Sequence, residues 1–286
     1  MSRWLVTGAG GMLGHDMVTC LERGGETALA LTRGDLDITD QAAVTATVRD
    51  CRPDIVVNCA AWTAVDEAEA HEDEALEVNG HGARLVAAAC AAGGARLIHI
   101  STDYVFAGDA RRPYAEDDRR GPRTAYGRTK LAGEQAVAEL LPSSGYIVRT
   151  AWLYGAHGPN FVRTMIGLER DGKVVDVVDD QHGQPTWSGD VAGQVIALAR
   201  SAAPAGVYHA TSSGETTWFG FAREIFRRLG ADTARVRPVT SGAYPRLAPR
   251  PAYSVLGHGA WTNAGVAPIP GWQLRLHQGL RAVAGA

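Results

Sequence analysis

A glycine-rich turn near the amino terminus is the feature that most constrains how this chain folds. The apolar run Trp4–Thr7 leads into it, and Gly8, Gly11 and Gly14 follow at three-residue spacing. In a parallel α/β sheet the first such glycine permits a tight turn, the second lets the backbone approach a pyrophosphate, and the third lets helix and strand pack closely. The pattern therefore predicts a strand–turn–helix unit that binds a dinucleotide at the positive end of the helix. A glycine-rich turn without a ligand is the alternative, and a Walker loop is excluded because no Lys-Ser or Lys-Thr pair follows.

Short β-branched runs alternate with longer alanine-rich segments through the first half of the chain. The runs are apolar throughout, which indicates a sheet covered on both faces. Strand–helix alternation with right-handed crossovers predicts an α/β fold with a Rossmann-type doubly wound parallel sheet. The predicted strands are Trp4–Thr7, Thr27–Leu31, Asp54–Asn58, Arg96–Ser101 and Tyr146–Arg149, and the predicted helices are Leu13–Arg23, Gln41–Asp50, Glu72–Ala92 and Tyr126–Leu140.

The pattern changes beyond residue 150. Strands are predicted at Val174–Val178 and Gly206–His209, and helices at Asp190–Ser201 and Phe219–Leu229. From residue 235 onward, six prolines predict loops until a last helix at Leu274–Val283. We therefore predict a Rossmann domain over residues 1–155 and a smaller C-terminal α+β substrate lobe over residues 156–286, with some segments of the lobe returning to the sheet.

Composition excludes several classes of protein. The 286 residues carry 28 basic and 31 acidic side chains, so no basic field indicates nucleic acid or an anionic membrane as a partner. The four cysteines lie in apolar stretches without CxxC spacing, which favours reduced thiols over disulfides or a zinc site. The amino terminus has no room for a signal peptide, and no run of about 18 apolar residues can span a bilayer. A soluble cytoplasmic protein is the expectation.

A phenol and an ammonium group lie on the same face of one predicted helix, because Tyr126 and Lys130 are four residues apart. Ser101 and Thr102 lie upstream, at the carboxyl end of the fourth predicted strand, where ligands of such sheets bind. Reducing a ketone requires a proton donor at its oxygen, and a phenol with a pKa near 10 needs a nearby cation to titrate closer to neutrality. Lys130 and the positive charge of an oxidised nicotinamide can supply the roughly 4 kcal/mol that a shift of about three units requires. The Thr102 hydroxyl can hold the ketone oxygen. A surface Tyr and Lys on an amphipathic helix are the alternative.

The end of the second predicted strand bears on the choice of dinucleotide. NAD-binding folds usually place an acid here for the ribose 2′-hydroxyl. This chain offers Thr32 and Arg33, which can neutralise a 2′-phosphate, so NADPH is the predicted cofactor and NADH the second choice. Arg33 as a simple exposed loop charge is the alternative. Asp37 and Ile38 follow and are expected to flank the adenine.

Several motifs together resemble the extended short-chain dehydrogenase/reductases and, among them, the dTDP-4-dehydrorhamnose reductase family. They follow one another in order along nearly the whole chain. The matching stretches are VNCAAWTAVD at residues 57–66, STDYVF at 101–106, YGRTKLAGE at 126–134, RTAWLY at 149–154, Asn160-Phe161, DQHGQPT at 180–186 and Arg250-Pro251.

This resemblance implies a reaction and a set of site residues. The reaction is the NADPH-dependent reduction of the 4-keto group of a nucleotide-linked 6-deoxysugar, with dTDP-4-dehydro-L-rhamnose converted to dTDP-L-rhamnose. The implied cofactor contacts are Gly11, Met12 and Leu13 for the phosphates, Asp37 and Ile38 for the adenine, Ala60, Ala61 and Trp62 beside the ribose, and Ser101. The implied substrate contacts are Thr102, Asp103, Trp152 stacked against the hexose, and Arg250, with Tyr126 as the acid and Lys130 as its partner on the nicotinamide ribose.

Departures from the family pattern bear on metal and assembly. Some members bind magnesium through glutamates at a dimer interface; Asp16 matches the first position, but the second falls at Gly189, beside Asp190. The C-terminal stretch 281–286 has no carboxylate side chain for the third. We therefore predict no metal and leave a homodimer open. Tyr253 stands where the family often has a smaller polar residue, which makes the identity of the substrate less secure than the reaction type.

Three alternative functions remain at this level. The chain can reduce a related deoxysugar of secondary metabolism, or be an epimerase or dehydratase of the same superfamily. Dehydratases that resemble this family carry Asp-Glu after the threonine, whereas Asp103 is followed here by Tyr104. The third alternative is a non-catalytic subunit that binds a dinucleotide, like the regulatory subunit of methionine adenosyltransferase. His99, within a predicted strand, is interpreted as a hydrogen-bonded core residue rather than a ligand.

Overall fold

The computed structural model describes residues 2–285, and strands and helices alternate in it as the sequence predicts. The first half comprises β1 (Arg3–Thr7), α1 (Met12–Arg23), β2 (Thr27–Leu31), α2 (Gln41–Cys51), β3 (Ile55–Asn58), α3 (Val65–Ala68), α4 (Glu72–Leu76), a π-helical turn (Glu77–Gly82), α5 (Ala83–Gly93), β4 (Arg96–Thr102), α6 (Ala125–Leu140) and β5 (Gly145–Thr150). The second half comprises β6 (Leu153–Tyr154), α7 (Phe161–Arg170), β7 (Val175–Val178), β8 (His182–Gly183), β9 (Thr186–Trp187), α8 (Ser188–Arg200), β10 (Gly206–His209), β11 (Thr216–Thr217), α9 (Trp218–Arg228), β12 (Val236–Val239), α10 (Gly259–Asn263) and α11 (Trp272–Ala284). Met1 and Ala286, the ends of the predicted domain ranges, lie outside the described residues.

Six strands form one parallel sheet in the order β2-β1-β3-β4-β5-β10. Apolar side chains from both faces are buried: α1, α8 and α10 cover one face, while α2, α5 and α6 cover the other. This arrangement confirms the predicted Rossmann-type doubly wound sheet. The winding reverses between β1 and β3, and ligands of such sheets bind outside the carboxyl ends of the strands at that point. Within residues 2–285, no helix is long and apolar enough to cross a membrane.

The second half contributes both to this sheet and to a separate core. β10 pairs with β5 at the edge of the sheet, and α8 packs beside α1. A third apolar core is built from α7, α9, α11 and the parallel pair β7–β12. Elements beyond residue 155 therefore contribute both to the core of the sheet and to this third core. The predicted boundary at residue 155 stays a prediction.

Several elements were not predicted, namely α3, α7 and the two-residue strands β6, β8, β9 and β11, and two predicted segments differ from the sequence expectation. The predicted helix Glu72–Ala92 is interrupted by the π-helical turn, which places the side chain of Asn79 against Trp62: Oδ1 accepts from the Trp62 amide at 2.9 Å and Nδ2 donates to its carbonyl at 3.1 Å. The tail predicted as loop contains β12 and α10. Pro238 lies within β12, and it is tolerated because a two-stranded sheet leaves one edge of the strand unpaired.

A buried ion pair joins the sheet to α6. Arg149 on β5 is 0% exposed, and its Nε and Nη2 donate to the two carboxylate oxygens of Glu134 at 2.8 and 2.7 Å. Its Nη1 donates to the Glu116 carbonyl at 3.1 Å. The hydroxyl of Ser101, on β4, donates to the same Glu134 carboxylate at 2.6 Å. These bonds tie together β4, β5 and α6.

Replacing Arg149 with Met should lower the free energy of unfolding by about 3–5 kcal/mol, because the Glu134 carboxylate then stays buried without a partner. Denaturant unfolding measures this change. The control is Arg84→Met, which removes an equally bidentate but exposed ion pair between Arg84 on α5 and Glu139 on α6. This change should alter stability by less than about 1 kcal/mol. Equal losses in the two variants would contradict the assignment.

Candidate active site

A cleft of about 890 Å³ lies at the carboxyl ends of β1, β3, β4 and β5. It runs from the glycine turn to segments of the second half. The predicted site residues that line it are Gly11, Met12, Leu13, Gly14, Ala61, Ser101, Thr102, Asp103, Tyr126, Lys130, Trp152 and Arg250. Further lining residues from the second half include Phe161, Met165, Gln181, Trp218, Tyr244 and Arg246. The remaining predicted residues, Gly8, Thr32, Arg33, Asp37, Ile38, Ala60 and Trp62, are not among those that line it.

The glycine turn has the geometry that the spacing predicts. Gly8 has φ of +67°, and a Cβ there would lie 2.5 Å from the Ala60 amide nitrogen. A Cβ on Gly14 would lie 2.2 Å from the Gly8 carbonyl oxygen, so helix and strand approach too closely for a side chain. α1 begins at Met12 with no capping side chain, whereas α2, α6, α7 and α9 are each capped by one. The first amides of α1 are therefore free to bind an anion.

The loop after β2 carries a carboxylate that the sequence analysis did not include. The Thr32 amide and hydroxyl both donate to Asp35, at 2.9 and 2.6 Å. The side chain of Arg33 is 86% exposed, and its Nε lies 4.0 Å from Asp37. Thr32 itself packs beside the glycine turn, 3.6 Å from where a Cβ of Gly10 would stand. The loop next to the glycine turn therefore carries the exposed guanidinium of Arg33 and the carboxylate of Asp35, which is hydrogen-bonded to Thr32.

The side chains of Asp37 and Ile38 differ in their accessibility to a ligand. The Asp37 carboxylate accepts hydrogen bonds from the amide and hydroxyl of Thr39, which lower its pKa. Ile38 is only 3% exposed, because its side chain packs into the core against Gly82. A ligand can therefore meet Ile38 through its main chain rather than its side chain, and the expected adenine contact stays a prediction.

The three predicted catalytic residues lie together in the cleft. Thr102 ends β4, and Tyr126 and Lys130 lie on the first two turns of α6. The Thr102 hydroxyl accepts from the Tyr104 amide at 3.3 Å and donates to Asp103 at 3.0 Å. Burial raises the pKa of Tyr126 to about 12, although a hydrogen bond with Thr102 acts in the opposite direction. The phenol therefore holds its proton at neutral pH.

Lys130 is buried, and its amine is bonded to the main chain of β4. Its Nζ donates to the Ile100 carbonyl at 2.7 Å, and burial lowers its pKa to about 8. The sequence analysis expected Lys130 to lower the pKa of Tyr126. In this structure the pKa of Tyr126 is instead raised by burial, and the groups that shift it are Thr102 and Asp103 rather than Lys130. Because the expected shift also depends on the positive charge of an oxidised nicotinamide, that expectation stays a prediction.

Asp103 is a buried carboxyl group with an incomplete set of partners. It is 3% exposed; Oδ1 accepts from the Thr102 hydroxyl, and Oδ2 has no hydrogen bond of acceptable geometry within residues 2–285. Burial raises its pKa to about 6, and the nearby hydroxyl groups of Ser254 and Thr102 only partly offset this effect. A buried polar atom without a partner, facing a cleft, is typical of a group that meets a ligand.

Trp152 lines the cleft as predicted, with an unusual backbone. Its φ is +46°, a left-handed conformation that bulky residues rarely adopt outside functional sites. Its indole stacks on that of Trp218 with centroids 3.6 Å apart and 8° between the planes. Trp218 therefore covers one face of Trp152, and Gly183 also lies against the indole, where a Cβ would stand 2.3 Å from Cε2. The sequence analysis missed Trp218, which carries no local motif.

Arg250 also lines the cleft and is already paired. Its Nη2 donates to Asp66 at 2.7 Å, and Nη1 donates to the Ala248 carbonyl at 3.1 Å. Arg246, which sequence reasoning missed, approaches the same Asp66 carboxylate at 3.9 Å. Two guanidinium groups therefore converge on one acid beside the cleft. Asp66 ends the stretch at residues 57–66 that carried the resemblance, which is the signal that could have linked it to the site.

The positions compared with the family's magnesium ligands are engaged within the protein. Asp16 accepts a hydrogen bond from Ser188, and Asp190 is paired with Arg275. In the part of the chain that the structure describes, no group of three or more His, Cys, Asp or Glu side chains is placed to hold a metal ion. The homodimer that was linked to such a site stays a prediction.

The sheet, the uncapped glycine turn and the Thr-Tyr-Lys group define a class: a Rossmann-type α/β protein that resembles the extended short-chain dehydrogenase/reductases. Residues 2–284 match the family model described as the RmlD substrate binding domain. The chain belongs to this family.

Individual relatives agree over nearly the full length. The chain is 58% identical to a dTDP-4-dehydrorhamnose reductase of Streptomyces griseus, over 99% of this chain and 94% of the relative. It is also 58% identical to a dTDP-4-keto-6-deoxy-D-glucose reductase of Streptomyces niveus, over 96% of each chain. Among solved structures, the dTDP-4-dehydrorhamnose reductase of Bacillus anthracis in complex with NADP is similar, with a TM-score of 0.93, 38% identity and coverage of 100% of this chain and 99% of the other.

Asp103→Asn should raise the free energy of unfolding at pH 8 by about 2–3 kcal/mol, because the wild-type carboxylate is ionised there in a site that disfavours its charge. The folded pKa, about 6, lies above the unfolded one, so this group stabilises the native state below pH 4 and loses that contribution as the pH rises through 6. The difference between the two proteins should therefore shrink towards pH 4, as measured by urea unfolding at several pH values.

Asp118→Asn is the control with the opposite sign, since a hydrogen bond from Arg112 lowers the pKa of that carboxyl. Its loss of stability should be greatest at high pH and fade as the pH falls. A difference between Asp103→Asn and wild type that does not change with pH would show that Asp103 is not a disfavoured carboxylate.

Proposed function

We propose that this chain catalyses the NADPH-dependent reduction of the 4-keto group of a nucleotide-linked 6-deoxysugar, converting dTDP-4-dehydro-L-rhamnose to dTDP-L-rhamnose. The observation that carries the proposal is the convergence of Thr102, Tyr126 and Lys130 in a cleft that begins at the uncapped start of α1. The names of relatives at 58% identity, both reductases of dTDP-linked sugars, support the substrate class.

The protein offers a fitting cradle for the cofactor. The amides of Met12, Leu13 and Gly14 lack a side-chain cap, which suits a pyrophosphate at the positive end of α1. The exposed guanidinium of Arg33 beside Thr32 suits the 2′-phosphate of NADPH. The NADP bound by the Bacillus anthracis relative supports this choice. The remaining proposed contacts are Asp37, the main chain of Ile38, Ala60, Ala61, Trp62, Ser101 and Lys130.

The chain's own residues supply the proton chemistry. When bound, the nicotinamide supplies the hydride that reduces the sugar C4. Tyr126 donates its hydroxyl proton to the C4 oxygen, which becomes the hydroxyl of the product. Thr102 donates a hydrogen bond to the same oxygen after its hydroxyl turns away from Asp103. The raised pKa of Tyr126 keeps the phenol protonated until negative charge develops on that oxygen.

The rest of the cleft suits a nucleotide-linked hexose. Arg246 and Arg250 line it from the second half, and both guanidinium groups approach the carboxylate of Asp66. Guanidinium groups bind diphosphate oxygens with paired, charge-assisted hydrogen bonds. The stacked indoles of Trp152 and Trp218 give an apolar surface for the C–H-rich face of a pyranose.

A second candidate substrate is dTDP-4-keto-6-deoxy-D-glucose. The observation that favours it is the Streptomyces niveus relative, whose name specifies that substrate and which matches this chain at the same 58% identity. Both sugars need the same proton donor and hydride, so the catalytic residues do not separate them. A comparison of kcat/KM for the two sugars does.

Tyr126→Phe should lower kcat by about 10²–10⁴-fold, because the phenol that donates the proton is removed while the packing of the ring is kept. The measurement is NADPH oxidation with each of the two keto sugars, together with NADPH binding followed by fluorescence, which should change little. Tyr146→Phe is the control, because the Tyr146 hydroxyl donates to the Ala203 carbonyl and Tyr146 does not line the cleft. This variant should keep its turnover.

Full activity of Tyr126→Phe would show that the acid is misassigned. No turnover of either sugar by the wild-type protein would instead favour the non-catalytic regulatory subunit.

A further inference from the structure

His99 is a buried histidine that the proposed reaction does not use. It is 1% exposed, lies on β4 and pairs in register with Asn58 on β3. Its Nε2 lies 3.5 Å from the Nζ of Lys130. This approach depends on Gly133 of α6, where a Cβ would stand 3.2 Å from Nε2 and 2.3 Å from the carbonyl oxygen of Asn79.

Hydrogen bonds around Asn58 fix the orientation of its amide. The amide oxygen accepts from the Ala60 amide at 3.2 Å and from the Thr7 hydroxyl at 2.7 Å. Because the Ala60 N–H can only donate, the oxygen of Asn58 must lie on that side. The NH₂ group of Asn58 therefore faces Nδ1 of His99, at 3.1 Å.

The same reasoning fixes the proton on the imidazole. Nδ1 faces a donor, so it must act as the acceptor and carry no hydrogen. Burial lowers the pKa of His99 well below its usual range, and the nearby charge of Lys130 acts in the same direction, so the ring is neutral. The single ring proton is then on Nε2, the nitrogen that faces Lys130.

An N–H group pointed at Lys130 discriminates between the two forms of its amine. The ammonium form has no lone pair, so it meets Nε2–H as one donor facing another, while the neutral amine can accept from it. The Ile100 carbonyl accepts from Nζ in either form. The other titratable groups near Nζ are Cys59, after β3, and Glu134, on α6; Glu134 favours the ammonium, but its carboxylate is already shared by Arg149 and Ser101.

We propose that His99 is a positioning residue for Lys130: its Nε2–H group orients the amine and disfavours the ammonium form, which favours the exchange of a proton by Lys130. The role of this exchange, renewing the proton of the site that contains Tyr126, rests on the proposed function. Burial itself lowers the pKa of Lys130 to about 8, in the same direction as this effect of His99.

The first experiment reads the tautomer in the wild-type protein, without a variant that must fold. Long-range ¹H–¹⁵N correlation spectra distinguish protonated from unprotonated ring nitrogens. His99 should show a protonated Nε2, a bare Nδ1 and no titration between pH 5 and 8. A protonated Nδ1, or titration at the usual pH of a histidine, would overturn the proposal.

The second experiment reads Lys130 directly. The chain has only two lysines, so Lys173→Arg, which changes an exposed residue, leaves one [¹³C]lysine signal to titrate. Asn58→Asp replaces a donor with an isosteric acceptor; the ring proton should move to Nδ1, and Nε2 should then accept from the ammonium. The titration midpoint of Lys130 should rise.

His99→Met separates the effect of the imidazole from the direct effect of the new charge. The rise caused by Asn58→Asp should be larger in the protein that keeps His99 than in the His99→Met background, by at least about half a pH unit, the size of one hydrogen bond. Equal rises in the two backgrounds would reject the role of His99. Neither measurement needs substrate, so this failure is distinct from an inactive enzyme, which would count against the proposed function alone.

Discussion

A fully buried guanidinium must be compensated where it lies, and in this protein the groups that compensate Arg149 belong to the elements that carry the candidate catalytic residues. Glu134 brings in α6, with Tyr126 and Lys130, and the Ser101 hydroxyl brings in the end of β4. His209 of β10 approaches the same guanidinium, at 3.3 Å. Because one missing partner leaves a buried charge unpaired, these elements keep a fixed mutual position. The geometry of the cleft follows from that constraint.

Desolvation then sets the protonation of the site. Burial raises the pKa of Tyr126 and of Asp103 and lowers that of Lys130, so each group is moved towards its neutral form. A protonated phenol is the form that a reductase needs at the start of its reaction. Among the described residues, one oxygen of the Asp103 carboxyl has no hydrogen-bond partner, which costs stability that a ligand donor could restore. A site that is destabilised without its ligand is the usual consequence of preparing it for one.

Periodic patterns made most of the fold predictable, and contacts between distant segments made the rest unpredictable. The strand Thr27–Leu31 was predicted with its observed bounds, whereas β12 was missed because Pro238 hides it. In the site, Tyr126 and Lys130 were placed by their spacing on one helix. The partnership of Lys130 with His99 was not, because 31 residues separate them and only the sheet register brings them together. Trp218, Arg246 and Asp35 were also missed, because no local sequence pattern marks them.

The central claim is that this cleft directs hydride to C4 of a nucleotide-linked keto sugar. It is tested most directly by turnover with NADPH deuterated at nicotinamide C4 on the transferred face, followed by NMR and mass spectrometry of the sugar product. The account predicts one deuterium per product, bound to C4 of the hexose, with the new hydroxyl proton derived from solvent. Deuterium at another carbon, or a product that forms without deuterium, would contradict it.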